Sequence, residues 1–256
     1  HHNKHPPTFE EWAVIKNPDV YGFLNLRIPD NGEKLIFEFI TNDGYVLDQF
    51  QIYRINDFIK ADLVGADLSG ADLSGADLVG ADLKNVKLNN ANLENSNLYG
   101  VNLSKSIFYK TDLTNADFSF TNLENVDFSN MNLKDVKLIG AYFNNVDLSG
   151  MDLSGKNLAG ASFVKTNMIN SNLNSSNLSW TYFNEVKFFE TNFENVKLVR
   201  ANLENSDLSQ IKLSYSDLSY ANLSKIDFTN VKLENMQLSK TNLSYSNFSN
   251  VDLSGR

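Results

Sequence analysis

The sequence predicts an all-β solenoid, a chain wound into stacked coils whose backbones pair with the coils on either side. From Ala61 to Gly255 every fifth residue is Leu, Phe or Met, thirty-nine units without a miss, opening with Ala61-Asp62-Leu63-Val64-Gly65 and closing with Val251-Asp252-Leu253-Ser254-Gly255. A period of five fits neither the 3.6 of a helix nor the 2.0 of a strand, so an internal repeat sets the fold. Within each unit only the Leu/Phe position and the small residue two before it are consistently apolar or small. One large and one small side chain therefore turn inward, and the other three face water.

Written as A/S/T/V, then D/N, then L/F, then two polar residues, the unit resembles the pentapeptide-repeat family over about three quarters of the chain. The resemblance implies a right-handed quadrilateral (square) parallel β-helix in which four units make one turn. Residues 61–256 would then form about 10 coils and a rod of roughly 45 Å at the inter-strand spacing of about 4.8 Å. Residues twenty apart share a column. Phe143, Phe163 and Phe183 fall in one inward column, and Phe183, Phe188 and Phe193 lie on three consecutive sides, so the middle of the rod is expected to be thickened by Phe. Lys156 breaks the inward rule, standing where its column otherwise carries Ala76, Ser96, Ala116, Val136, Ser176, Val196, Ser216 and Met236. The expectation is that it buries its stem and bends its ammonium out to water; the alternative is a local distortion that marks a binding spot.

Residues 1–5 resemble the end of a purification tag and are set aside. Residues 6–60 read as a small α+β segment. Thr8-Phe9-Glu10-Glu11 matches a capping box, predicting a helix from Phe9 to Ile15 that Asn17-Pro18 ends. Val20–Ile28, Leu35–Ile40 and Tyr45–Tyr53 are rich in β-formers, with turns at Pro29–Gly32 and Asn42–Gly44. Such a unit would cap the first coil, whose core and backbone edge would otherwise be bare; the alternative is a recognition domain. At the other end the repeat runs straight into Gly255-Arg256. Two expectations stay open there, a further domain after Arg256 or an end-to-end dimer of rods, the latter as in the gyrase-protecting branch of the family.

Composition excludes several chemistries. Cys is absent, and the three histidines are His1, His2 and His5, so thiolate or imidazole zinc sites and the usual nucleophile–base pairs cannot be assembled. No phosphate-cradling loop and no long apolar span is present, and no cofactor is expected. Asp62, Asp67, Asp72, Asp77 and Asp82 crowd the first turn, but an acid or amide before the central Leu reads as a turn residue, with weak cation binding as the alternative. A sugar-processing β-helix enzyme is the least favoured class.

The net charge is −9, which disfavours nucleic acid as a direct ligand. The family resemblance implies one alternative, a DNA-mimicking protein that binds DNA gyrase or a topoisomerase, of the quinolone-resistance type. Against it, Lys87, Lys137, Lys187, Lys197, Lys212 and Lys232 interrupt the outward acidic positions, and Arg200, Lys225 and Lys240 add more basic charge. Aromatic residues point elsewhere. The twenty-residue columns gather Val79, Tyr99, Ile139 and Val199; then Phe120, Trp180, Arg200 and Tyr220; then Tyr142 and Tyr182, all around one corner of the square. Ile107, Tyr109, Ile169 and Phe189 make a smaller cluster. Exposed apolar patches with Trp, Tyr and Arg mark interaction sites. The sequence thus predicts a non-catalytic protein-interaction scaffold presenting one side face to a protein partner. By architectural resemblance it could belong to a secreted bacterial effector, which leaves the bacterial cytoplasm and a host cell as alternative locations.

Overall fold

The computed structural model describes residues 22–27, 34–41, 46–53, 58–128, 131–229, 231, 233–249 and 251. The three expected strands are present as β1 (Gly22–Arg27), β2 (Lys34–Thr41) and β3 (Val46–Tyr53). They form one antiparallel sheet in the order β1-β2-β3, with Phe37 in register with both Leu26 and Phe50 and an irregularity between Phe39 and Ile40. The expected helix at 9–15 and the turns at 29–32 and 42–44 lie outside the described residues.

Among the described residues the chain from Asp62 to Asn247 is a β-helix. Parallel bridges join residues twenty apart, from Asp62 with Asp82 to Asp227 with Asn247, so four five-residue sides make one coil. A unit with Asp or Asn at its second position can satisfy all five amides. Leu63 N–H donates to Asp82 O at 2.8 Å and Gly65 N–H to Lys84 O at 2.8 Å, both across to the next coil, while Asp82 N–H returns a bond to Ala61 O at 2.9 Å. Ala66 N–H closes the corner onto Leu63 O at 3.0 Å. The remaining amide, that of Val64, is taken by the side chain of Asp62 at 3.2 Å. The last residue of nearly every described unit has a positive φ, as at Gly65 (71°) and Asn85 (57°), which turns the chain through the corner and favours Gly or Asn there.

The large inward residues are buried from Leu68 to Leu233, and the small ones are buried from Ala71 to Val231 except at Met131, Met151, Lys156, Val186 and Ser206, which are half-buried. Phe58 occupies the large position one unit before Ala61: it is buried and its N–H donates to Asp77 O at 2.7 Å. Hydroxyls in the small slot donate to a carbonyl of the preceding coil, as Thr111 to Leu88 O (2.6 Å) and Thr166 to Phe143 O (2.6 Å). Ser96 and Thr181 instead take Leu93 O and Leu178 O of their own coil, and Ser171 Oγ and Ser176 Oγ are buried without a partner, so Ala, Ser, Thr and Val interchange in the slot with most hydroxyls, though not all, satisfied. The Phe-rich middle is present. Phe143, Phe163 and Phe183 stack with centroids 5.2 Å apart, and Phe188 and Phe193 meet edge to face at 5.3 Å. Here the sides lengthen into two short parallel strands, β4 (Ser162–Val164) and β5 (Tyr182–Asn184).

Lys156 departs from expectation. Its ammonium does not turn out to water: it donates to the carbonyl oxygens of Lys134 and of Val136, the latter at 3.0 Å, in the preceding coil. Burial pulls its pKa down against the opposing pull of Asp135. A side chain too long for an Ala-sized slot reaches across the gap between coils and takes carbonyls that the ladder would use. Nearby, Asn132 carries no bridge to Asp112 or Asp152, and a cavity of about 590 Å³ opens between Phe128, Met131, Leu133, Met151 and the carboxylates of Asp127, Asp147 and Asp152.

Phe163→Ala, in the centre of the stack, is expected to lower unfolding free energy by about 3–5 kcal/mol, read from the urea midpoint. Lys156→Ser, which restores the ordinary occupant of that slot, is expected to raise it by about 1 kcal/mol.

Candidate functional site

Two surfaces compete as the site, the acidic rows and the aromatic corner. The acidic residues are occupied by the fold. Asp67 accepts from Ser69 N–H and Ser69 Oγ–H, Asp72 from Ser74 N–H and Asp82 from Lys84 N–H. Asp and Asn are favoured at this position because a side-chain oxygen two residues before an amide closes an Asx turn. Asn adds a second role. Asn172 donates from Nδ2 to Asp152 Oδ1 at 3.0 Å and Asn192 to Asn172 Oδ1 at 3.2 Å, so amides climb the column rung by rung. Lys can replace them, as in the pairs Lys87–Asp67 (3.2 Å) and Lys137–Asp117 (3.3 Å).

These bonds hold the Asp67, Asp112, Asp147, Asp152 and Asp227 carboxyls below their ordinary pKa, in each case chiefly through the hydroxyl two residues on. Burial is the largest influence on Asp117 and pushes it up, but bonds from Ser119 and Lys137 outweigh it and the net shift is down. Among the described residues no group of three or more Asp, Glu, His or Cys is gathered to hold a metal ion.

The aromatic corner is built differently. Phe120, Trp180, Arg200 and Tyr220 occupy the corner-turning position, with φ of 58°, 64°, 61° and 62°. A left-handed backbone is uncommon for bulky residues and is favoured at Gly or Asn. The ladder holds each one: Phe120 N–H bonds Ile139 O, Trp180 N–H bonds Val199 O, Arg200 N–H bonds Ser219 O and Tyr220 N–H bonds Ser239 O. The residues expected to share this corner do share it. Tyr99 lies 5.2 Å from Phe120 between ring centroids. Ile139 and Val199 are half-buried beside the column, and Tyr142 and Tyr182 stand exposed on the neighbouring side.

The upper half of the corner is a stack of alternating rings and cations. The Arg200 guanidinium lies 4.6 Å from the Trp180 ring and 5.1 Å from the Tyr220 ring, and Lys240 Nζ lies 5.2 Å from Tyr220. Trp180 remains 62% exposed. Gly140, Gly160 and Lys240 belong to this column but escape a reading that looks only for large side chains. Their signal is the same twenty-residue spacing. Phe120 folds over Gly140 so closely that a Cβ there would come within 2.5 Å of its ring, whereas Gly160 meets nothing nearer than Gly140 Cα at 3.9 Å. A notch thus lies between Phe120 and Trp180. The smaller cluster is looser: Ile107, Tyr109 and Phe189 are exposed and Ile169 is half-buried.

The profile described as pentapeptide repeats matches in eight copies over residues 57–90, 76–115, 111–150 and 152–188, and a pentapeptide repeat region matches 183–256. The chain belongs to the pentapeptide-repeat family. Membership carries the right-handed β-helix with it. No curated protein matches the sequence. Among solved structures the rod is similar to HetL, involved in heterocyst differentiation regulation in the cyanobacterium Nostoc, at 24% identity over 75% of this chain and 89% of that one, with a TM-score of 0.34. It is also similar to QnrB1, a plasmid-mediated fluoroquinolone resistance protein, at 18% identity over 59% and 89% of the two chains and a TM-score of 0.34. A pentapeptide-repeat protein of the Arabidopsis thaliana thylakoid lumen matches at 24% identity over 53% and 70%, with a TM-score of 0.16. None of these likenesses is close enough to transfer a function. No helix among the described residues is long and apolar enough to cross a membrane.

The lowered Asp pKa values have a signed consequence. A carboxyl whose folded pKa lies below its unfolded one stabilises the fold above the ordinary Asp value of 3.8 and loses that contribution as pH falls through the folded value. The melting temperature, followed by circular dichroism, is expected to hold between pH 7 and 5 and to fall as pH is lowered past about 4.

Proposed function

We propose that this pentapeptide rod is a non-catalytic interaction scaffold whose aromatic corner, carried by Trp180, Tyr182, Tyr142, Arg200, Phe120, Tyr99, Ile139, Val199 and Tyr220, binds a protein partner. One observation carries the reading. Phe120, Trp180, Arg200 and Tyr220 hold a left-handed backbone position that Gly and Asn fill most often in the rod; Tyr215 and Tyr245 hold it singly elsewhere, whereas these four are gathered in one column. Bulky residues at such a position cost on the order of 1 kcal/mol each relative to Gly, and exposed cation–π contacts return about the same amount. Stability alone gives little reason to place them there, and backbone outliers of this kind cluster at binding sites. Trp, Tyr and Arg are also the side chains that most often anchor protein interfaces.

The scaffold fits a bacterial protein, either resident in the cytoplasm or delivered into a host cell as part of an effector; the source of the captured partner distinguishes these. A gyrase-binding duplex mimic is the second reading. The net charge of −9 favours it, and the lysines that neutralise Asp67 and Asp117 weigh against a continuous acidic face. Inhibition of gyrase supercoiling at stoichiometric concentration, lost when Asp62, Asp72 and Asp82 become Asn, would establish it.

The triple variant Trp180→Asn/Arg200→Asn/Tyr220→Asn separates binding from folding, because Asn suits the corner backbone. It is expected to melt within a few degrees of the parent while losing partner capture from bacterial and eukaryotic lysates. A large drop in melting temperature with capture unchanged would make the corner structural.

A further inference from the structure

The corner differs from the remainder of the rod in charge as well as in shape. Across its four columns, from Tyr99-Gly100-Val101-Asn102 through Val199-Arg200-Ala201-Asn202 to Ser239-Lys240-Thr241-Asn242, there is no Asp or Glu, although the chain has 31 acids against 22 bases. The only charges on this stretch are Arg200 and Lys240, and both are cations. The ion pairs among the described residues are Lys87–Asp67, Lys137–Asp117 and Lys225–Glu204. Arg200 and Lys240 face aromatic rings instead. A guanidinium held between two rings keeps its N–H fork at the ring edges, where it can bind a carboxylate in the bidentate manner. An acid on this corner would compete for that fork, and none is present.

We propose that the corner receives an extended acidic peptide segment of the partner, with a carboxylate on Arg200 and an apolar side chain in the notch over Gly160; this rests on the reading of the corner as a protein-binding site. Gly160 is exposed, and the notch is walled by Phe120 and Tyr142 on one side and by Trp180 and Tyr182 on the other. At about 4.8 Å per coil, Gly160 and Arg200 are roughly 10 Å apart along the rod. An extended chain covers that distance in about three residues. The recognised feature is therefore a bulky apolar residue with Asp or Glu two or three positions away. Asn202, Asn222 and Ser219 line the same corner as neutral hydrogen-bonding groups; the nearest carboxylates, Glu204 and Asp217, lie just outside the four columns and are held by Lys225 and Asn222 and by the Ser219 N–H, respectively.

The test is selection of displayed random peptides roughly a dozen residues long, the extended length that spans the corner. The full chain serves as bait and the triple Asn variant as counter-selection. The expected result is enrichment of sequences pairing Asp or Glu with a bulky apolar residue at the stated spacing. The enriched peptide should lose about tenfold or more in affinity on Arg200→Gln, with binding weakened by added salt. Gly160→Asn, which the positive φ accepts, should weaken binding by filling the notch without altering the melting temperature. Neutral or basic peptides that still depend on Trp180 and Tyr220 would overturn the acidic assignment and leave the corner as a protein-binding site. Enrichment that ignores the corner, or none against the variant, would overturn both.

Discussion

Every feature of this rod depends on how five amides are satisfied in each five-residue unit. Three are used between coils, one closes the corner, and the fifth has no backbone acceptor within reach, so the Asp or Asn two residues earlier supplies one. That amide sits at an exposed or half-buried corner, where an acceptor from the chain saves it from competing with water. The second position of the unit is therefore Asp or Asn in most units. Where Tyr or Lys replaces Asp or Asn there, as at Tyr142 and Lys187, that side-chain acceptor is lost and a different side chain appears on the surface, while inter-coil bonds such as Tyr142 N–H to Thr121 O and Lys187 N–H to Thr166 O persist.

That division of labour explains where the chain is free to vary. Inward positions are set by volume, the second position by its acceptor oxygen, and the corner by its left-handed backbone. What remains is side-chain identity on the outer faces, and there the rod carries information. Because each coil contacts only its neighbours, a local departure is absorbed locally. The break around Asn132 and Lys156 is bounded by regular coils, with Asn97–Asp117 and Asn157–Asn177 bridges intact on either side. The aromatic corner uses the same tolerance for a different purpose, placing rings at positions where the backbone favours none.

Much of this was legible in the sequence. The unbroken period of five gave the coil, and the spacing of twenty placed Phe163 on Phe183 and Trp180 beside Arg200, because columns in a solenoid are arithmetic. Three things were not legible. Which of the three outward positions turns the corner is visible in the Gly and Asn preference, but the strain on Trp180 and Tyr220 appears only with their φ values. The bond from a small-slot hydroxyl to a carbonyl twenty-three residues earlier requires the offset between coils. Lys156 looked like a snorkelling side chain, and sequence could not reveal that carbonyls of the neighbouring coil were nearer than water.

The register of twenty is the central claim, since it alone brings the aromatic and cationic residues to one corner. The chain contains no Cys, so introduced pairs report without background. Ser179→Cys with Val199→Cys would place two thiols on adjacent coils at about 4.8 Å between backbones, within the reach of a disulfide. Ser179→Cys with Glu204→Cys would place them one side further round the square. Mild oxidation followed by mass measurement should close the first pair and leave the second open. Closure of the second pair in preference to the first would contradict the register, and with it the corner.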